Sequence, residues 1–268
     1  MNRFIFVKNK VFIVFLIINC IGISQTESKK GFWENHKHVW LSGFNYKNHK
    51  IPFWCTALTT IALSVKDEEI YRNIKQFQSR NPSINKPSKT ITLLGDGYVD
   101  ISILGVFFFK GLLLNDHRAT KTASLGFKGM LHTGIVVQVL KHVTGRQRPG
   151  AGKGKDHWHG PSGALKRYNS GRWALYDAFP SGHTMAAWSL ATVVSHQYAH
   201  LKYVPALAYT LAIGAGLSRI TEDTHWASDV FLGAVLGYEI TRQIIQIESS
   251  ETMAIYPKRN GIQIVYIF

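Results

Sequence analysis

Between residues 90 and 246 the chain offers a series of helix-length apolar runs, and nearly all of them carry charged or histidine side chains. The segment 98–114 holds Asp100 and Lys110, the run 123–145 ends in Lys141 and His142, and 178–201 carries several histidines. A membrane span wants about 20 mainly apolar residues. Only Tyr203–Ser218 approaches that without a charge, and mean hydropathy over the chain is −0.03. The pattern therefore predicts an all-α helical bundle in water or at a membrane surface rather than an integral one.

Helical runs are expected at 54–80, 90–114 (interrupted by Gly95-Asp96-Gly97), 123–145, 184–200, 203–217 and 226–246. Residues 80–89, with two prolines, read as a loop, as does the longer stretch 145–180 rich in Gly, Lys, Arg, His and Trp. A loop of that length in a compact domain is usually functional. The end "MAIYPKRNGIQIVYIF" breaks the helical pattern: alternating apolar residues flank Asn260-Gly261, a short β-hairpin signal over 251–268.

The N-terminus has a basic lead, an apolar stretch of 13 residues from Val11 to Ile23, and a polar continuation. Small residues Gly22 and Ser24 suit cleavage before Gln25, so 1–24 reads as a secretory signal and the protein as exported to the periplasm or cell envelope. The alternative is an uncleaved anchor; Cys20 behind Asn19 fits lipid attachment poorly. With 1–24 removed, Cys55 is the sole cysteine, so no internal disulfide staples the fold. Residues 25–89 form a lead-in and first helix, and 90–246 the functional core. The net charge of +15 (31 Lys+Arg against 16 Asp+Glu) implies an anionic partner, a phosphate-bearing substrate or an acidic membrane touched peripherally. No zinc-finger spacing or other nucleic-acid motif is present, and nucleic acid is not expected as a partner.

Within "FPSGHTMAAWS" (179–189), Ser181 is expected to cap a helix beginning near His183. Such a start offers free backbone N–H groups and a positive dipole end, which favour an anion. Alone this is an ordinary cap; "GPSGALK" at 160–166 repeats Pro-Ser-Gly without a histidine. Two further blocks change the picture. "KHVTGRQRPG" places Lys141 six residues before Arg148-Pro149, and "LSRITEDTHWASD" places Ser218-Arg219 ahead of His225 and Asp229. Three cations and two histidines at helix ends are what a phosphate pocket without metal needs. Arg forks and a Lys can neutralise the equatorial oxygens, a neutral histidine can attack phosphorus, and a protonated one can serve the leaving oxygen.

The three blocks, Lys141…Arg148-Pro149, Pro180-Ser181-Gly182-His183 and Ser218-Arg219…His225…Asp229, resemble the signature of the type-2 phosphatidic acid phosphatase superfamily. That superfamily includes bacterial class A acid phosphatases, lipid phosphate phosphatases and vanadium haloperoxidases. The resemblance covers about residues 90 to 245. It implies a helical bundle and a metal-independent phosphoric ester hydrolase, sensitive to vanadate, that needs no cofactor. It also implies roles: His225 the nucleophile forming a phosphohistidine, Asp229 its orienting partner, His183 the general acid. Lys141, Arg148 and Arg219 would hold phosphate oxygens, aided by Ser181 and the N–H of Gly182. His157 and His159 in "DHWHG" are then loop or substrate contacts rather than metal ligands. A phosphorylated lipid or a small phosphoester is the expected substrate. Trp158, Trp173 and Tyr176 are candidate lipid or ring contacts; Lys153, Lys155, Arg167 and Arg172 are candidate anion contacts. The alternatives are a vanadate-dependent haloperoxidase and a non-catalytic phosphate- or lipid-binding module.

Overall fold

The computed structural model describes residues 53–170 and 175–249, and the strands 253–258 and 261–266. The signal and lead-in expectations over 1–52, Arg172, Trp173 and the side chain of Arg167 lie outside the described residues. The helices are α1 (Phe53–Arg80), α2 (Asn85–Ile91), α3 (Gly97–Leu114), α4 (His117–Thr144), α5 (Pro161–Ser170), α6 (Gly182–Gln197), α7 (Val204–Thr221) and α8 (Ala227–Ser249). Strands Met253–Lys258 and Gly261–Tyr266 pair antiparallel, with Lys258 opposite Gly261; the intervening turn lies outside the described residues.

Each boundary that matters here has a local cause. The Asp96 side chain accepts from the Tyr98 N–H at 2.9 Å and starts α3. Asn115 ends it with φ 52°. Asp116 then caps α4, accepting from the Ala119 N–H at 3.1 Å, so this helix begins at His117 and not near 123 as expected. Its polar first turn hid the start. Gly145 closes α4 with φ 54°, and a Cβ there would meet the Gly160 carbonyl oxygen at 2.4 Å. Only glycine fits.

Two expected loops contain helix. Pro87 sits in the first turn of α2 and Pro161 opens α5, positions where a missing N–H costs nothing. The Pro-Ser-Gly of 161–163 is therefore a helix start, though of a short helix with no histidine after it.

α6 is the central helix, contacting α4, α7 and α8. Small residues allow the close approach: Ala187 and Ala191 of α6 face Ala212 and Ala215 of α7, with Trp188, Ala208 and Tyr209 against them. A second cluster joins Leu125 of α4, Val193 of α6, and Ile244 and Ile245 of α8. α1 lies along α8 and α7. Outward faces are strongly apolar: Leu58, Ile61 and Val65 on α1, Val106, Phe109 and Leu113 on α3, and Leu207, Ile213 and Leu217 on α7 are all exposed. Among the described residues two helices, α3 and α4, are long and apolar enough to cross a membrane.

Candidate active site

The signature residues lie at helix ends and in the segments between them. Ser181 caps α6: its Oγ accepts from the Thr184 N–H at 3.4 Å and from Thr184 Oγ1 at 2.8 Å, and the side chain is buried. Gly182 opens the helix, and a Cβ on it would stand 3.8 Å from Lys141 Nζ. Lys141 comes from the last turn of α4, Arg148 from the segment that follows, and Arg219 from the last turn of α7. The charges of Arg219, Lys141 and Arg148 all bear on His183, and the same three bear on His225. The sequence blocks are brought together in space.

His225 is held in the α7–α8 loop. Its N–H donates to the Arg219 carbonyl at 3.2 Å, and the Thr224 hydroxyl donates to the same oxygen at 2.7 Å. Its Nδ1 lies 2.6 Å from the carbonyl oxygen of Ala178. A carbonyl only accepts, so Nδ1 carries the proton and Nε2 presents its lone pair. Burial, then the charges of Arg148, Lys141 and Arg219, hold its pKa well below the usual histidine value, which favours the neutral ring.

Asp229 stands differently from what the resemblance implies. Its Oδ2 is 3.7 Å from His225 Nδ1, beyond hydrogen-bond length, and accepts instead from the Trp226 N–H at 2.8 Å. Its Oδ1 takes Arg146 Nη1 at 2.5 Å. Burial pushes the Asp229 carboxyl up to about 7, against the pull of the Arg146 guanidinium and the Trp226 N–H. The direct orienting contact on His225 is the Ala178 carbonyl, with Asp229 as a carboxylate one step removed.

His183 sits in the first turn of α6, half-buried. Burial, then the Arg219 charge, lowers its pKa to about 4, with Asp96 opposing. Gly95 lies so close that a Cβ there would meet the His183 carbonyl oxygen at 2.3 Å, which fixes the α3 entry against this histidine. An apolar cavity of about 240 Å³ opens beside it, lined by Gly97, Met130, Gly134, Val137 and Met185.

Lys141, Arg148 and Arg219 have anionic partners. Asp177 accepts from Arg148 Nε at 2.8 Å and pairs with Lys141 Nζ at 3.4 Å. Arg219 Nη1 donates to Glu222 at 2.9 Å and to the Thr92 hydroxyl. Asp177 was not anticipated, because a lone acid in a long loop gives no signal in one sequence. The same holds for Arg146, inside the first block, and for Asp67 of α1, within a "KDEE" run that reads as a solvated helix face.

The 145–180 candidates divide. Trp158 lies over the Arg146 guanidinium, 4.4 Å from its carbon, and packs edge-on against Phe179. Tyr176 packs edge-on against His159, whose Nδ1 is 3.1 Å from Lys166 Nζ. Gln147 N–H donates to the His157 carbonyl at 2.9 Å. Lys155 pairs with its neighbour Asp156, and Lys153 is exposed. Among the described residues no group of three or more His, Cys, Asp or Glu side chains is placed to hold a metal ion.

The described helices match the crystal structure of Aquifex aeolicus LpxE with a TM-score of 0.51 over 67% of this chain and 94% of that one, at 24% identity. This likeness establishes the class of fold. The family model of the PAP2 superfamily matches residues 124–252, just under half of the chain. It is similar to a lipid A 1-phosphatase of Porphyromonas gingivalis, 40% identical over 62 residues, and to a lipid A 1-phosphatase of Rhizobium etli, 26% identical over 171 residues. The aligned parts span 23% of this chain and 14% of the first relative, and 59% of this chain and 68% of the second.

Proposed function

We propose that the protein is a metal-independent phosphatase that removes phosphate from a lipid-linked substrate at the cell envelope through a phosphohistidine intermediate. The observation that carries this reading is the His225 tautomer: Nδ1–H is committed to the Ala178 carbonyl, so Nε2 is the attacking atom. In the first step Nε2 forms a bond to phosphorus while the bond to the leaving oxygen breaks. His183, as imidazolium, gives that oxygen its proton. In the second step the now neutral His183 takes a proton from water, the water oxygen attacks phosphorus, and the N–P bond breaks to release phosphate and restore both rings. Lys141, Arg148 and Arg219 supply the charge neutralisation. Ser181 and the Gly182 N–H add helix-terminus donors.

Three features favour a lipid. The cavity beside His183, the residue proposed to serve the leaving oxygen, is apolar. α3 and α4, which frame it, are long and apolar enough to lie in a bilayer, and exposed apolar faces continue onto α1 and α7. Both curated relatives are lipid A 1-phosphatases. A phosphate-release panel tests the reading, comparing lipid A 1-phosphate, undecaprenyl pyrophosphate, phosphatidylglycerol phosphate and soluble esters in detergent. Lipid phosphates are expected to exceed soluble esters in kcat/KM, with EDTA without effect and vanadate competitive. Loss of activity in EDTA, restored by a divalent ion, overturns the mechanism.

A further inference from the structure

Behind His225, away from the phosphate side, lies a charge cluster that the signature does not describe. Asp67, Arg146 and Asp229 have side chains 0–1% exposed. Arg146 Nη2 donates to Asp67 Oδ2 at 2.7 Å and Nη1 to Asp229 Oδ1 at 2.5 Å, so one guanidinium bridges two carboxylates. Ser228 sews the same group together. Its N–H donates to Asp67 Oδ1 at 2.9 Å, its hydroxyl to Asp67 Oδ2 at 2.5 Å, and it receives Arg146 Nη1 at 2.8 Å. Trp158 and Trp226 cover the guanidinium at 4.4 and 5.5 Å. Arg146 reaches His225 by its backbone too: its carbonyl accepts the Ala178 N–H at 3.0 Å, and the Ala178 carbonyl holds His225 Nδ1.

Resting on the phosphatase reading above, we propose that Asp67 and Arg146 are positioning residues for His225. With Asp229 they form a buried acid–base–acid triad whose surplus negative charge stabilises the positive ring of the phosphohistidine. The charge count is the core of the argument. An Arg146–Asp229 pair alone would be neutral and would leave His225 facing only the cations Lys141, Arg148 and Arg219. Asp67 draws part of the guanidinium to itself, which leaves net negative charge 3.7 Å from Nδ1. When Nε2 bonds phosphorus the ring becomes cationic while Nδ1–H stays on Ala178, and that charge meets Asp229, whose ionised form the ring and Arg146 favour against the burial that raises this carboxyl. In a water-excluded pocket such an interaction is strong and needs no reorganisation. Arginine is required because its planar fork serves two acids at once; lysine, a point charge, cannot. Asp67 also caps the first turn of α8 from another helix, which fixes the segment carrying Asp229.

The test is a double-mutant cycle on the full chain, with nitrophenyl phosphate turnover and inhibition by inorganic phosphate as readouts. Asp67→Asn is expected to lower kcat by about 10- to 100-fold, the size typical of groups that act on a reacting centre through other residues. KM and phosphate inhibition should stay unchanged, because the cations that bind phosphate are untouched. Asp229→Asn should lower kcat as well, and the double variant should be no slower than Asp229→Asn alone, since Asp67 acts through Asp229. Multiplying losses, or weaker phosphate inhibition alongside the kcat loss, overturns the triad. If Asp67→Asn shows no cooperative thermal unfolding, Ser228→Ala, which removes one hydrogen bond from the same carboxylate, carries the test with a smaller kcat loss and the same split. A wild-type protein without turnover overturns the phosphatase reading and this one with it; an active wild type with independent losses overturns the triad alone.

Discussion

His225 stands between two charged regions built on opposite principles. In front, Lys141, Arg148 and Arg219 keep side-chain exposures of 9, 20 and 7% and are held by partners a substrate phosphate could replace, Asp177 and Glu222. Behind, Asp67, Arg146 and Asp229 are at 0–1%, tied by several hydrogen bonds each and closed off by tryptophan rings. The front can trade one anion for another, as a site that binds and releases phosphate must. The back cannot rearrange, as a group that holds a nucleophile in one tautomer must not. Removing one partner of such a buried set costs about 3–5 kcal/mol of stability.

The sharpest way to break this comparison is at its centre. His225→Ala should abolish turnover of every substrate, because no other side chain replaces the attacking Nε2; residual steady hydrolysis of nitrophenyl phosphate would place the nucleophile elsewhere. His183→Ala comes next. General acid catalysis is worth about 10²- to 10⁴-fold, so alkyl phosphates should lose nearly all activity while nitrophenyl phosphate, whose leaving group is stable as an anion, keeps far more. Equal losses on both would show that His183 holds phosphate rather than protonating. A burst of nitrophenol from His183→Ala and none from His225→Ala would locate the covalent intermediate.

A smaller effect tests the front region. Asp177→Asn removes one negative charge from between Lys141 and Arg148 while keeping the shape. Inorganic phosphate should then inhibit about tenfold more strongly, since a like charge a few ångströms away no longer opposes it. Unchanged or weaker inhibition would mean that Asp177 serves only to place the two cations.

The mildest perturbation is pH. Burial and the front cations lower both histidines, His183 to about 4. His225 works neutral, so its lowered pKa keeps it competent in mild acid. His183 must be protonated, so its limb of kcat/KM should fall as pH rises above about 4, while ionisation of the Asp229 carboxyl, raised to about 7, gives an opposing rising limb. Bound phosphate dianion opposes the cations and raises His183, and the fall in kcat should therefore lie at higher pH than the fall in kcat/KM. Coincident limbs in the pH–rate profiles would contradict this. Stability runs the other way. Both rings bind protons more readily unfolded than folded, so their contribution to stability is lost as pH falls below the ordinary histidine value near 6.5. His183→Ala should flatten the dependence of the melting temperature on pH there, while the raised Asp229 carboxyl contributes in the opposite direction.

The front region was legible in the sequence because its residues are charged and polar side chains at helix ends, marked by Pro, Ser and Gly at fixed spacing. The central helices were legible from their apolar runs and caps. α2 and α5 were hidden because proline in a first helical turn looks the same as proline in a loop. Asp67 was hidden for a deeper reason: in "VKDEE" nothing distinguishes the one acid that turns inward from its solvated neighbours, and only the packing of α1 on α8 decides it. Asp229 was found with the right neighbour but the wrong contact, since spacing along a helix cannot tell 3.7 Å from a hydrogen bond.

α1 does more than bury one aspartate. Tyr71 donates to Asp223 at 2.9 Å, Lys75 pairs with the same carboxylate and donates to the Thr221 carbonyl, and the Tyr71 ring meets Trp226 edge-on. This helix lies wholly before the span matched by the family model, yet it clamps both ends of the loop that carries His225. An expression fragment cut just ahead of α3 would keep every signature residue and lose that clamp. Such a fragment should still bind vanadate weakly through its cations while forming no phosphoenzyme; a phosphoenzyme formed by the fragment would show that the clamp is dispensable.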